Sequence, residues 1–127
     1  MTARRTKIYF DGGCRPNPGA MEIAVVIRGV EHVGQDMGPG TSLDAEWLAL
    51  IAALRLARVE ALADFVLIGD AANVIAQAIG TVPARGAAAR HLAEFRMLAG
   101  DGPMPRIRRI GRAQNLAGIA LAKRHPR

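Results

Sequence analysis

Lys7-Ile8-Tyr9-Phe10-Asp11-Gly12-Gly13-Cys14-Arg15-Pro16-Asn17-Pro18-Gly19 is the stretch on which the reading of this chain turns. Lys7-Ile8-Tyr9-Phe10 is rich in β-formers and predicts a strand that ends at Asp11. The glycines and prolines that follow predict a loop from Gly12 to Gly19. A second run ends the same way. Phe65-Val66-Leu67-Ile68 is continuously apolar, the mark of a strand buried on both faces, and closes on Gly69-Asp70. One acid near a turn is ordinarily just solvated, but here two acids each follow an apolar strand. If those strands are parallel neighbours, both carboxylates emerge at one edge of the sheet, where open α/β sheets place their sites.

Working outward, Ile23–Arg28 predicts a second strand and Gly29 a tight connection. Glu31–Asp36 can form a third, more polar strand, as expected at an edge. Strands so close in sequence pair as antiparallel hairpins. The breaker Gly38-Pro39-Gly40 precedes Thr41 and Ser42, both good N-caps. A helix from Leu43 to Arg58 then buries Trp47, Leu50, Ile51 and Leu54 on one stripe. Glu46 falls in its first turn, where the helix dipole favours an anion. Further on, Ala72–Ile79 and Ala87–Leu98 read as helices, Arg106–Ile110 as a strand and Asn115–Arg124 as a last helix. The order β-β-β-α-β-α-α-β-α predicts an α/β fold, a mixed sheet with helices packed on it. If the helix brings Glu46 to the edge carrying Asp11 and Asp70, the three carboxylates repel one another until a cation neutralises them. Mg²⁺ suits such a set, since it takes carboxylate oxygens together with water and substrate phosphate.

Composition narrows the class. The chain has 127 residues, enough for a single domain over 1–127 with its own core, and half of them are apolar. Aromatics make up 4%, so that core is aliphatic. Cys14 is the lone cysteine, which excludes an intramolecular disulfide framework. No apolar run approaches the roughly 18 residues needed to span a bilayer. The basic Met1–Lys7 segment lacks the apolar stretch of a signal peptide, so the expectation is a cytoplasmic protein without a membrane partner. Charge is unevenly spread. Residues 1–84 hold 7 Lys/Arg and 9 Asp/Glu, a net of −2, whereas residues 85–127 hold 10 and 2, a net of +8. An acidic site beside a basic surface points to a polyanion such as nucleic acid; a solvated basic tail is the plain alternative.

Four ordered segments resemble the type 1 ribonuclease H family. Asp11-Gly12-Gly13-Cys14-Arg15-Pro16-Asn17-Pro18-Gly19 is similar to its opening Asp-Gly loop with Asn-Pro-Gly. Thr41-Ser42-Leu43-Asp44-Ala45-Glu46-Trp47-Leu48-Ala49-Leu50 resembles its helix motif, and Leu67-Ile68-Gly69-Asp70 the strand bearing the third acid. Arg112 to Ala122 resembles its closing segment, so the match spans nearly the whole chain. The resemblance implies a five-stranded mixed sheet whose first three strands are antiparallel. It also implies hydrolysis of the RNA strand of an RNA/DNA hybrid with Mg²⁺, or Mn²⁺ in its place. Asp11, Glu46 and Asp70 would be the catalytic metal ligands, with the Asp11 position bridging two ions. Asn17 would meet the hybrid's minor groove, where RNA shows its 2′-hydroxyls, and Thr41 a phosphate. Turn and capping chemistry is the ordinary alternative for both. Arg106 and Arg108 share a face of their strand and, with Arg112, could contact phosphate; an Arg-rich exposed edge is the equal alternative for the two strand residues.

The resemblance breaks at Gly118, where the family's fourth Asp normally stands. No one-residue shift brings in an acid, because Asp101 is the last acid of the chain. Asp44 would point elsewhere on the helix, His125 lies two turns away, and Asn115 has a local role. No substitute is legible in the sequence. Ser42-Leu43 also replaces the family's Asn-Asn, and no basic handle is inserted between the middle helices. Three readings follow. The first is an active enzyme working with three protein carboxylates. The second is an impaired or inactive module that binds RNA/DNA hybrid or double-stranded RNA. The third, a resolvase-like or exonuclease-like relative, is disfavoured by the Asn-Pro-Gly loop.

Overall fold

β1 runs over Thr6–Cys14, so the first strand continues through Asp11 and both glycines instead of stopping at the acid. Glycine does not break it because β2, Gly19–Ile27, offers a complete antiparallel ladder, with Asp11 opposite Ala24 and Gly13 opposite Glu22. The loop predicted over 12–19 shrinks accordingly to residues 15–18. Residues 5–125 are described in the computed structural model; residues 1–4, with Arg4 of the basic N-terminal segment, and residues 126–127 lie outside them.

β3, Val30–Gly34, pairs antiparallel with β2 through a two-residue turn. Arg28 and Gly29 both have positive φ there, +51° and +76°, as the twist of a tight hairpin demands. A two-residue strand, β4 (Pro39–Gly40), closes on the start of β2. On the other side of β1, β5 (Phe65–Gly69) runs parallel to it, and β6 (Arg106–Arg109) runs parallel to β5. The spatial order is β3-β2-β1-β5-β6. This is the mixed sheet with three antiparallel leading strands that the sequence predicted.

The helices are α1 (Ser42–Val59), α2 (Ala72–Ile79), α3 (Ala87–Ala99) and α4 (Leu116–Ala122). They divide between the two faces because side chains alternate along each strand. Ile8, Phe10, Val25 and Leu67 pack with Trp47, Leu50 and Leu54 of α1 and Phe95 of α3. Ala24 and Val26 pack instead against Ala117, Ala120 and Leu121 of α4. α1 starts at Thr41, whose hydroxyl accepts from the Asp44 amide at 3.1 Å while the Asp44 side chain accepts from the Thr41 amide at 3.1 Å. This capping box fixes where the helix begins. Glu46 is consequently its fifth residue, in the second turn; the acid in the first turn is Asp44.

Candidate active site

Parallel pairing of β1 with β5 ends at Tyr9 opposite Ile68, so Asp11 and Asp70 each stand two residues beyond the last pair, at one end of the sheet. Glu46 joins them because β1 and α1 approach closely at Gly12. A Cβ added there would overlap the Ala45 carbonyl and sit 2.6 Å from the Glu46 amide nitrogen. Only glycine permits that approach, and it brings the second turn of α1 over the strand. Gly69 plays the matching part on β5, where a Cβ would lie 2.5 Å from the Phe10 ring. Both glycines are therefore packing requirements of the site rather than loop residues.

Asp11, Glu46 and Asp70 line one cavity of about 310 Å³, together with Arg109, Ile110, Gly111 and Arg112. Burial, the Asp70 charge and a shared proton with Asp70 push the Asp11 carboxyl up to about 7, with a further push from Glu46. Burial and the Asp70 charge likewise push Glu46 up to about 7. The Arg112 guanidinium pulls both the other way, without prevailing. This excess of hard anionic oxygens over cations is what a Mg²⁺ site presents before it is filled. Among the described residues no three His, Cys, Asp or Glu side chains are already drawn into a closed cage. Mg²⁺ retains several of its waters and does not require such a cage. The donor set therefore fits the ion.

Asn115 has more than a local role. It is fully buried, and its Oδ1 accepts from the Ala117 amide at 3.1 Å, capping α4. Its Nδ2 donates to the Phe10 carbonyl at 3.0 Å and to Asp70 Oδ1 at 3.3 Å. One amide thus locks β1, the third acid and the last helix together. Gly118, in the first turn of α4, faces Asp11: a Cβ added there would lie 3.5 Å from Asp11 Oδ2, in ordinary contact. A second cavity of about 240 Å³ opens on that side, with Asp11, Gly13, Glu22, Arg112 and Gly118 among its lining residues.

The other predicted contacts divide. Asn17 Nδ2 donates to Ser42 Oγ at 2.9 Å, and its Oδ1 accepts from the Ser42 amide at 3.1 Å, which ties the exposed 15–18 loop to the start of α1. The Thr41 hydroxyl serves the helix cap and donates to Asp44 Oδ2 at 2.9 Å. Asp44 is also bound by His91 of α3 at 2.9 Å, so it does point away from the other acids. Arg112 lines both cavities. Arg106 opens β6 at the opposite end of the sheet, in a groove with Arg58 and Asp64, and Arg108 is exposed outside both cavities. The basic residue of β6 that reaches the acids is Arg109, paired with Gly69 beside Asp70. Alternation alone favoured the Arg106–Arg108 face; the register of β6 on β5 selects Arg109.

A mixed β3-β2-β1-β5-β6 sheet with one acid on β1 and one just past β5, both beyond the last pair of their parallel ladder, and a third from α1 defines the ribonuclease H-like class. A family model described as reverse transcriptase-like matches residues 9–125. Over 93% of this chain and 94% of the other, the structure is similar to RNase H1 from the halophilic archaeon Halobacterium salinarum, with 30% identity and a TM-score of 0.83. It is also similar to LC11-RNase H1 in complex with an RNA/DNA hybrid, at 26% identity and TM-score 0.79, covering 92% and 93% of the two chains. The N-terminal RNase H domain of rv2228c from Mycobacterium tuberculosis shares the fold at 23% identity and TM-score 0.77, over 98% and 100%. No match to a curated protein sequence was found. The chain belongs to the ribonuclease H family.

Proposed function

We propose that this chain is a metal-dependent endonuclease that hydrolyses the RNA strand of RNA/DNA hybrids in the cytoplasm. The observation that carries the reading is the convergence of Asp11, Glu46 and Asp70 on one cavity flanked by Arg109 and Arg112. Asp11, Glu46 and Asp70 would hold Mg²⁺, or Mn²⁺, as the ligands of the site. When bound, such ions supply Lewis-acid activation of water and neutralise charge at the scissile phosphate. Arg109 and Arg112 draw the phosphate backbone toward the acids and offset their field. Asn17, held on Ser42 in the exposed loop beside the start of α1, meets the minor groove of the hybrid. Thr41 presents the helix start to a backbone phosphate, and Arg108 extends the basic surface along β6. A relative solved with an RNA/DNA hybrid supports the choice of substrate.

Gly118 favours a second reading, an impaired or inactive module that binds hybrid or double-stranded RNA. Cleavage of a labelled RNA/DNA hybrid in Mg²⁺ or Mn²⁺, run beside Asp11→Asn, separates the two. The enzyme reading expects cleavage that falls by about a hundredfold or more in Asp11→Asn. Tight binding of the hybrid without cleavage in either metal would establish the second reading instead.

A further inference from the structure

Resting on that metal-site reading, we propose that Glu22 supplies the fourth carboxylate of the site, in place of the side chain missing at Gly118. The strand register puts it there. Asp11 is opposite Ala24 and Gly13 opposite Glu22, so Asp11 and Glu22 are diagonal neighbours on adjacent strands. Such Cα atoms are about 7–8 Å apart, within reach of a long side chain. Alternation places both on the face covered by α4, the face that Gly118 also meets.

Three further features agree. Glu22 is only 8% exposed, yet it lines the cavity shared with Asp11, Arg15, Arg112 and Gly118. Gly13 lacks the Cβ that would stand 3.5 Å from Glu22 Oε1, and Gly118 leaves open the space an aspartate would fill. His125 Nε2 donates to Glu22 Oε1 at 2.5 Å, the sole hydrogen bond to that carboxylate among the described residues. A single such bond fixes the orientation of a ligating carboxylate and leaves its second oxygen available. On this proposal strand β2, and not helix α4, carries the fourth carboxylate.

A purely structural role, Glu22 and His125 tethering the end of α4 to β2, predicts different metal binding. The test measures Mn²⁺ affinity of the full chain without nucleic acid, by calorimetry or by the electron paramagnetic resonance of free Mn²⁺. Glu22→Gln should weaken binding by about tenfold or more. Gly118→Asp should change the wild-type affinity by less than about threefold but restore most of the loss in the Glu22→Gln background. Unchanged binding in Glu22→Gln, or an equal gain from Gly118→Asp in both backgrounds, overturns the proposal. If Glu22→Gln does not fold, Gly118→Asp alone decides: a tenfold gain in the otherwise natural chain means that the fourth position was vacant. Asp11→Asn checks the underlying reading separately. Its loss of Mn²⁺ binding is expected, and wild-type affinity in that variant would place the metal elsewhere whatever Glu22 does.

Discussion

Replacing Asp11 with asparagine should stabilise the metal-free protein at alkaline pH. The carboxyl is pushed from 3.8 up to about 7 by burial and by Asp70 and Glu46. A carboxyl held above its unfolded pKa binds its proton more tightly in the folded state. Folding therefore loses stability as pH rises from about 4 to about 7, and the full penalty stands above that range. The rise from 3.8 to about 7 corresponds to ~4 kcal/mol at most. Solvent reaches this half-buried group and its repulsion is shared with two neighbours, so about 2 kcal/mol is the working figure. For a domain of this size that is roughly 6–10 °C in Tm. The amide keeps a hydrogen-bond donor for Asp70, the neighbour that raises the Asp11 carboxyl. Differential scanning calorimetry in EDTA at pH 8.5 should show Asp11→Asn melting above the natural chain, with the gap closing toward pH 4. Added Mg²⁺ should raise the Tm of the natural chain and leave Asp11→Asn nearly unmoved. Equal melting of the two chains at pH 8.5, or a gap that does not vary with pH, would refute the electrostatic account of the site.

Gly12→Ala should destabilise the fold by about 2–3 kcal/mol in a urea titration and weaken Mn²⁺ binding, because its Cβ meets α1 backbone that cannot yield. Gly102→Ala, with open space around its Cβ, should stay within about 0.5 kcal/mol in the same titration. Asn115→Ala removes the α4 cap and the partner of the buried Phe10 carbonyl; urea denaturation should report a loss of about 2–4 kcal/mol. Arg109→Ala should reduce the salt dependence of hybrid binding by about one unit in the log–log slope, measured by fluorescence anisotropy. Arg106→Ala, at the far end of β6, should leave that slope within error.

The local elements follow directly from the chain. The apolar run Phe65–Ile68, the stripe Trp47-Leu50-Ile51-Leu54 and the stop at Gly80 each carry a period or a breaker that acts over a few residues. α2 accordingly ends where the left-handed Gly80 stands. The three acids were legible for the same reason, since two of them close apolar runs of sequence and the third falls within a helix that its cap locates. Composition also revealed the basic last third, but the core is not purely aliphatic: the chain's few aromatics gather in it, with Trp47, Phe10 and Phe95 among its largest fully buried side chains. What short-range pattern could not supply was register. Gly12 and Gly13 read as loop because glycine disfavours a strand, yet β2 provides a ladder that outweighs that preference. Only that ladder reveals that Glu22 lies diagonal to Asp11. Pairing β6 with β5 puts Arg109, and not Arg106, beside the acids, and the fold brings Asn115 to the Phe10 carbonyl across 105 residues of chain. Each of these contacts joins residues that no window of a few residues spans, from 11 positions for Asp11 and Glu22 to 105 for Phe10 and Asn115, and their positions are set by how strands align and helices dock.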